Sequence, residues 1–185
     1  MSIVGVNASG RKDGNTAALV NAVLRGAAES GAESTLLQLA DMDIAGCNAC
    51  RACKATQRCV IRDDMDRFYD LAPATDVLVF ASPIYLDHVT AQAKAFLDRL
   101  YCYISPNMEK LYPRPDARVV IGITYGARGK HQYDDVLDWL TDRFSFYWGI
   151  RTVGSFAVPA AGSDGGIDAD HPVLRAACEL GRSLT

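Results

Sequence analysis

The chain has 185 residues, 49% hydrophobic and 22% charged, with a formal net charge of -3 and a pI of about 5.6. That is the length of one domain with its own core, and the composition excludes a disordered chain, a collagen-like chain and a small disulfide scaffold. The charge balance offers no broad basic face to a nucleic acid, and no apolar run reaches the roughly 18 residues that a membrane helix needs.

Met1 to Gly5 has neither a basic leader nor an apolar signal core, so a cytoplasmic location is expected, where thiols stay reduced. Ile3–Val6 is a predicted first strand. Leu19, Val20, Val23, Leu24 and Ala27 then recur at helical spacing, and Gly31 closes that helix. Thr35–Leu39 is a second strand. A stretch over 41–62 lacks periodicity and holds four of the six cysteines. Met65–Ala72 is a short helix stopped by Pro73. Val77–Ala81, apolar throughout, is a third strand buried on both faces. Thr90 caps a helix carrying Phe96, Leu97, Leu100 and Tyr101. A proline-rich loop over 104–116 precedes a fourth strand, Val119–Ile123. Tyr133, Val136, Leu137, Leu140 and Phe144 form the clearest amphipathic helix. Val153–Val158 is a fifth strand, and after a Gly- and Asp-rich loop Pro172 opens a last helix running to Leu184.

Five apolar strands alternating with five helices call for parallel pairing with right-handed crossovers. The expected fold is a single α/β domain over 1–185, a flavodoxin-like three-layer sandwich with a five-stranded parallel sheet in the order 2-1-3-4-5 and a cysteine-rich loop at 41–62. Ligands of such sheets sit beyond the carboxyl ends of the strands, which directs attention to the loops after Val6, Ala81 and Ile123.

The first loop runs from Asn7 to Thr16. It carries two glycines, short polar side chains and two cations ahead of a helix. A phosphate there meets free amides and the positive end of the helix dipole, with Ser9, Gly14, Asn15 and Thr16 around it and Arg11 offering a forked contact. The alternative is a plain turn with a helix cap. Neither a Walker loop nor a Gly-x-Gly-x-x-Gly fingerprint fits the spacing. Ser82-Pro83-Ile84-Tyr85 directly follows the third strand, and its exposed amides suit a planar ligand; a strand-end turn with Tyr85 in the core is the competing reading. Thr124, Tyr125 and Gly126 begin a third glycine-containing loop, where Tyr125 serves either packing or ligand contact.

Cys47, Cys50, Cys53 and Cys59 fall within 13 residues at spacing Cys-x2-Cys-x2-Cys-x5-Cys. The first three have the spacing with which ferredoxins wrap a 4Fe–4S cube, and Arg51, Lys54, Arg58 and Arg62 are near enough in sequence to offset the thiolate charge. Structural zinc, disulfides and cysteines kept without a cluster are the alternatives; zinc sites use two separated pairs, and a two-residue gap is short for a disulfide. Cys102 and Cys178 are expected as small buried residues.

Ser9-Gly10-Arg11-Lys12-Asp13-Gly14-Asn15-Thr16 resembles the Ser-Pro-Arg-x-x-Gly-Asn-Thr phosphate loop of the NADPH-dependent FMN reductase superfamily, with Gly10 where proline is usual and Ala8 where glycine is usual. Ser82-Pro83-Ile84-Tyr85 is similar to that family's flavin-ring segment. The order of phosphate loop, cysteine run, Asp63-Asp64-Met65 and Ser-Pro-Ile-Tyr resembles the iron–sulfur flavoproteins, strongly from Ile3 to Tyr101. The resemblance implies FMN held by Ser9, Arg11, Asn15 and Thr16 and bordered by Pro83, Ile84 and Tyr85. It also implies a 4Fe–4S cluster on Cys47, Cys50, Cys53 and Cys59, and a homodimer or homotetramer. Electron transfer between cluster and FMN is the expected function. The donor is NAD(P)H or a small redox protein such as a ferredoxin, and no side chain is assigned as acid or base. The rivals are an NAD(P)H-dependent FMN or quinone reductase with no working cluster, and a receiver domain, for which Asn7-Ala8-Ser9 lacks the acidic pocket. Asp98 and Arg99 read as structural or interface residues.

Overall fold

A computed structural model describes residues 1–126, 129, 131–159 and 166–185. Its strands are β1 (Ser2–Asn7), β2 (Glu33–Gln38), β3 (Val77–Tyr85), β4 (His88–Val89), β5 (Arg118–Thr124) and β6 (Arg151–Val158). Its helices are α1 (Asn15–Glu29), α2 (Cys53–Thr56), α3 (Met65–Leu71), α4 (Ala91–Arg99), α5 (Asp134–Trp148) and α6 (Pro172–Ser183).

Five strands pair in parallel in the order β2-β1-β3-β5-β6. With the two-residue β4 set aside, this is the expected 2-1-3-4-5 order. The sixth strand is the difference: β4 folds back antiparallel on the end of β3, pairing Ile84 with Val89 and Tyr85 with His88. Ser82-Pro83-Ile84-Tyr85 is therefore a continuation of β3 and not a turn. The bend comes one step later, at Leu86 and Asp87, which both adopt left-handed backbone (φ 47° and 65°) as a tight primed hairpin requires. Pro83 is tolerated because the sheet ladder is ending there.

Side chains along the central strands alternate between two cores, as a period of two demands. Val4, Val6, Leu78, Phe80, Val119 and Ile121 face the layer of α3, α4 and α5. Ile3, Val77, Val79, Ala81 and Val120 face α1 and α6. Each fully buried large side chain contributes about 1.5–3 kcal/mol, so the continuous apolar run of β3 is explained by its central place. Helices α1 and α6 cross closely. A Cβ on Gly26 would stand 1.9 Å from the Cys178 carbonyl oxygen, and one on Gly181 would stand 2.2 Å from that of Val23.

Helix ends follow the expected chemistry. Gly31, at φ 85°, closes α1 with its amide on Ala28 and that of Ala32 on Ala27. Thr90 caps α4, its hydroxyl accepting from the Ala93 amide at 3.1 Å. Pro172 starts α6. Leu39, Ala72–Ala74 and Leu100–Tyr103 lie in 3-10 turns, so the second strand ends a residue early and Tyr101 falls beyond its helix. Helix α2, one turn inside the cysteine run, had no periodic signal to announce it.

Candidate functional site

The carboxyl ends of β1, β3 and β5 converge at the switch point, where β1 has β2 on one side and β3 on the other. A cleft of about 360 Å³ opens there. The first loop contributes Ser9, Arg11, Gly14, Asn15 and Thr16; β3 contributes Pro83, Ile84 and Tyr85; the end of β5 contributes Thr124, Tyr125 and Gly126. Three loops distant in sequence thus meet on one hollow. Asp13 and Gly166 line it as well, unexpected from sequence. Ser82 does not. It is fully buried, its hydroxyl bonding the Pro83 carbonyl at 2.8 Å and accepting from the Thr90 amide at 3.1 Å, so its work is to set the path of β3 into α4.

The first loop is braced from below. Buried Asn7 accepts from the Ser9 amide at 3.1 Å and donates to Gln38 Oε1 at 2.7 Å; Gln38 in turn donates to the Ser9 carbonyl at 3.1 Å. Thr90 Oγ1 donates to the Ala8 carbonyl at 2.7 Å. Above this floor the Arg11 amide bonds Ser9 Oγ at 3.0 Å, and the Thr16 and Thr124 hydroxyls meet at 2.8 Å, tying α1 to β5. Asn7 and Gln38 were missed by sequence reasoning; a polar residue ending each of two adjacent strands was the available signal.

The cleft sets one guanidinium, Arg11, and a helix start against one carboxylate, Asp13. Gly14 at the start of α1 brings no side-chain acceptor, and the first turn holds no acid, so the positive end of a 15-residue helix faces the hollow. The Arg11 side chain is exposed and makes no ion pair among the described residues, whereas Lys12 turns away to pair with Asp41. Asn15 Oδ1 accepts from the Ile167 amide at 2.7 Å, which brings Ile167 against the loop. Tyr125 packs edge-on against Tyr133 with centroids 5.0 Å apart, as the packing reading expects, and also lines the cleft. Its hydroxyl is buried and has no hydrogen-bond partner among the described residues. Burial, then Asp134, pushes its pKa up; the His131 amide lies near enough to oppose this but not in bonding geometry. The start of α1 and an exposed guanidinium in no ion pair among the described residues, both lining one hollow, fit a phosphate-bearing ligand. Tyr85 is 52% exposed, which removes it from the core. Ala127, Arg128 and Lys130, later in the third loop, lie outside the described residues.

The four cysteines divide. Cys53 and Cys59 are buried in the core that packs α3 to α5, while Cys47 and Cys50 are exposed. Burial pushes the Cys53 thiol up. Lys54 opposes that shift, and Cys59, Cys47 and Cys50 add to it, so all four thiols stand in one electrostatic neighbourhood. Among the described residues, no three His, Cys, Asp or Glu side chains are close enough together to hold a metal ion in this arrangement. The soft donor chemistry still suits a cluster. The backbone is left-handed at Ala49, Arg51 and Gln57, three non-glycine residues in nine, a concentration typical of functional loops. Of the cations expected to offset thiolate charge, Arg58 binds Asp66 and Asp70 at 2.7 Å, Arg62 binds Asp66, and Lys54 donates to the Tyr101 and Ile104 carbonyls over the Tyr101 ring. Cys102 and Cys178 are buried as expected, and burial raises the Cys102 thiol to about 12. His88 packs edge-on against Trp139 at 4.8 Å.

Residues 1–163 match the NADPH-dependent FMN reductase family. The chain is 31% identical over 140 residues to an iron-sulfur flavoprotein of Methanosarcina thermophila, spanning 76% of this chain and 73% of that protein. It is 34% identical over 155 residues to one of Archaeoglobus fulgidus, spanning 83% and 66%. In fold it resembles the NAD(P)H:quinone oxidoreductase from Methanothermobacter marburgensis, with a TM-score of 0.72 at 15% identity over 100% of this chain and 99% of that one. The chain is thus a flavin-dependent oxidoreductase belonging to the NADPH-dependent FMN reductase family and, within it, to the iron–sulfur flavoproteins.

Proposed function

We propose that this single domain holds FMN in the switch-point cleft and a 4Fe–4S cluster on Cys47, Cys50, Cys53 and Cys59, and that it moves electrons between the two. The observation carrying this reading is the meeting of three separate loops on one hollow, with Arg11 in no ion pair among the described residues and the start of α1 at its lining. When bound, FMN exchanges one or two electrons and the cluster one at a time, so together they interconvert single electrons and pairs.

The chain's own task is binding and orientation. The first-turn amides of α1, with Ser9, Asn15, Thr16 and Arg11, hold the phosphate; Gly14 lets it approach the backbone. Pro83, Ile84 and Tyr85 border the ring on one side, and Thr124, Tyr125 and Gly126 on the other. Asp13, at the cleft edge, disfavours a second anion beside the phosphate. No side chain is assigned a proton transfer. NAD(P)H or a small ferredoxin-like protein is the donor. Six free thiols suit a reducing compartment, the cytoplasm, although the described residues show directly only that no helix is long and apolar enough to cross a membrane. A homodimer or homotetramer would cover exposed Leu86, Phe146 and Tyr101.

A second reading, an NAD(P)H-dependent FMN or quinone reductase using the cleft alone, draws support from the division of the four thiols between surface and core. Anaerobic purification followed by iron, sulfide, zinc and FMN analysis decides between them. About four irons and one FMN per chain support the first reading. FMN without iron, with rapid flavin reduction by NADPH, supports the second, and zinc in place of iron removes the redox role of the cysteines.

A further inference from the structure

The cysteine run is a loop whose two ends are fastened at one point, and the fastener is a buried ion pair. Arg99, the last residue of α4, has a side chain with no exposed area, and Asp63 opposite it is 7% exposed. Nη1 of Arg99 donates to Asp63 Oδ2 at 2.6 Å and to the Ala45 carbonyl at 2.9 Å; Nη2 donates to Asp63 Oδ1 at 3.0 Å and to the Ile61 carbonyl at 3.2 Å. Asp63 accepts in return from the Ala45 amide at 3.0 Å and the Met65 amide at 3.1 Å. Ala45 precedes all four cysteines of the run and Ile61 follows them, so a single guanidinium fork closes the loop at its base.

The same helix is fixed at its other end to the flavin cleft. Thr90, the cap of α4, donates from its hydroxyl to the Ala8 carbonyl under the first loop and from its amide to the Ser82 hydroxyl. The Arg99 carbonyl is held by the Tyr69 hydroxyl at 2.9 Å and that of Leu100 by Trp148 Nε1 at 3.1 Å. Nine helical residues make α4 a strut of about 13 Å between the cleft floor and the base of the thiol loop. A buried pair of charges is an expensive way to gain stability, since apolar residues of similar volume often serve as well. What apolar residues cannot do is grip two carbonyls in fixed directions.

We propose that Arg99 and Asp63 are positioning residues of the thiol loop: by clamping Ala45 to Ile61 at the end of α4, they set where Cys47, Cys50, Cys53 and Cys59 stand relative to the flavin cleft. The inference rests on the reading of those thiols as cluster ligands, but the clamp can be judged without iron. The test uses the full chain as Asp63→Leu/Arg99→Met, which removes both charges together, and as Arg99→Lys, which keeps the charge but loses the fork. Metal-free protein is labelled with a maleimide well below its melting temperature, and the rate at each cysteine is read by mass spectrometry. Each protein is then reconstituted anaerobically and its iron and FMN are counted.

Both variants are expected to keep the parent circular dichroism and to bind FMN within about twofold of the parent, while Cys53 and Cys59 label about tenfold faster, the mark of a loop that opens locally. Iron per chain should fall by more than half in both. Parent-like labelling of Cys53 and Cys59 in the folded double variant overturns the clamp, as does full restoration of protection by Arg99→Lys, which would reduce the pair to charge neutralisation. If the parent itself takes no iron, the cluster reading fails, and the labelling rates alone decide the clamp.

Discussion

Arg11 is the residue on which the proposed phosphate site turns. It is the loop cation left without a carboxylate among the described residues, because Lys12 is taken by Asp41. Arg11→Ala should weaken FMN binding about tenfold, some 1.4 kcal/mol, the lower range for a charge-assisted contact; flavin fluorescence quenching measures it. The fold should be untouched, since the side chain is exposed. Asp63 gives a second expectation. Burial alone would raise its pKa, but the Arg99 fork and the Ala45 and Met65 amides outweigh that and hold it below the usual carboxylate value. A carboxyl that binds its proton more weakly when folded stabilises the fold above its unfolded pKa, and that contribution disappears as pH falls through the folded one. Urea midpoints should therefore drop below about pH 4, and Asp63→Asn should flatten that drop while costing about 3–5 kcal/mol at neutral pH, because Arg99 is left buried and unpaired.

Elements whose sequence carried a period were legible before the structure. The α1 face Leu19, Val20, Val23, Leu24 and Ala27 is buried as its spacing required, and the run Val77–Ala81 lies in the middle of the sheet. What escaped was local and aperiodic. Helix α2 is a single turn inside a segment ordered by ion pairs and a clamp, and β4 exists only because Ser82-Pro83-Ile84-Tyr85 stays extended long enough to pair with His88 and Val89. A proline in a strand suggests a turn, and nothing nearby in sequence reveals that the ladder has already ended. The closeness of α1 and α6 was equally hidden, being written in two glycines 155 positions apart. Gly181→Ala should push the helices apart and cost about 1–3 kcal/mol, visible as a lower Tm with the proposed FMN site intact, because the crossing meets α1 at Val23 and Ala27, beyond its cleft-lining residues Asn15 and Thr16.

For the whole molecule, doubly wound topology brings the ends of β1, β3 and β5 together, and that convergence turns three unremarkable loops into one cleft. The cleft residues were readable from motif spacing because the loops sit directly at strand ends. Their supports were not, since Asn7, Gln38 and Thr90 act through contacts that only the folded sheet creates. The position of the thiols followed the same divide: their spacing was plain in the sequence, whereas the Arg99–Asp63 clamp depends on the end of α4 meeting residues 36 positions away. The most direct measurement is a pair of titrations of flavin-free protein, one with FMN and one with riboflavin, followed by fluorescence quenching. Saturation at one FMN per chain, with riboflavin bound at least about tenfold more weakly, is the result expected of a phosphate-gripping loop. Equal affinity for the two, or no binding of either, would contradict it.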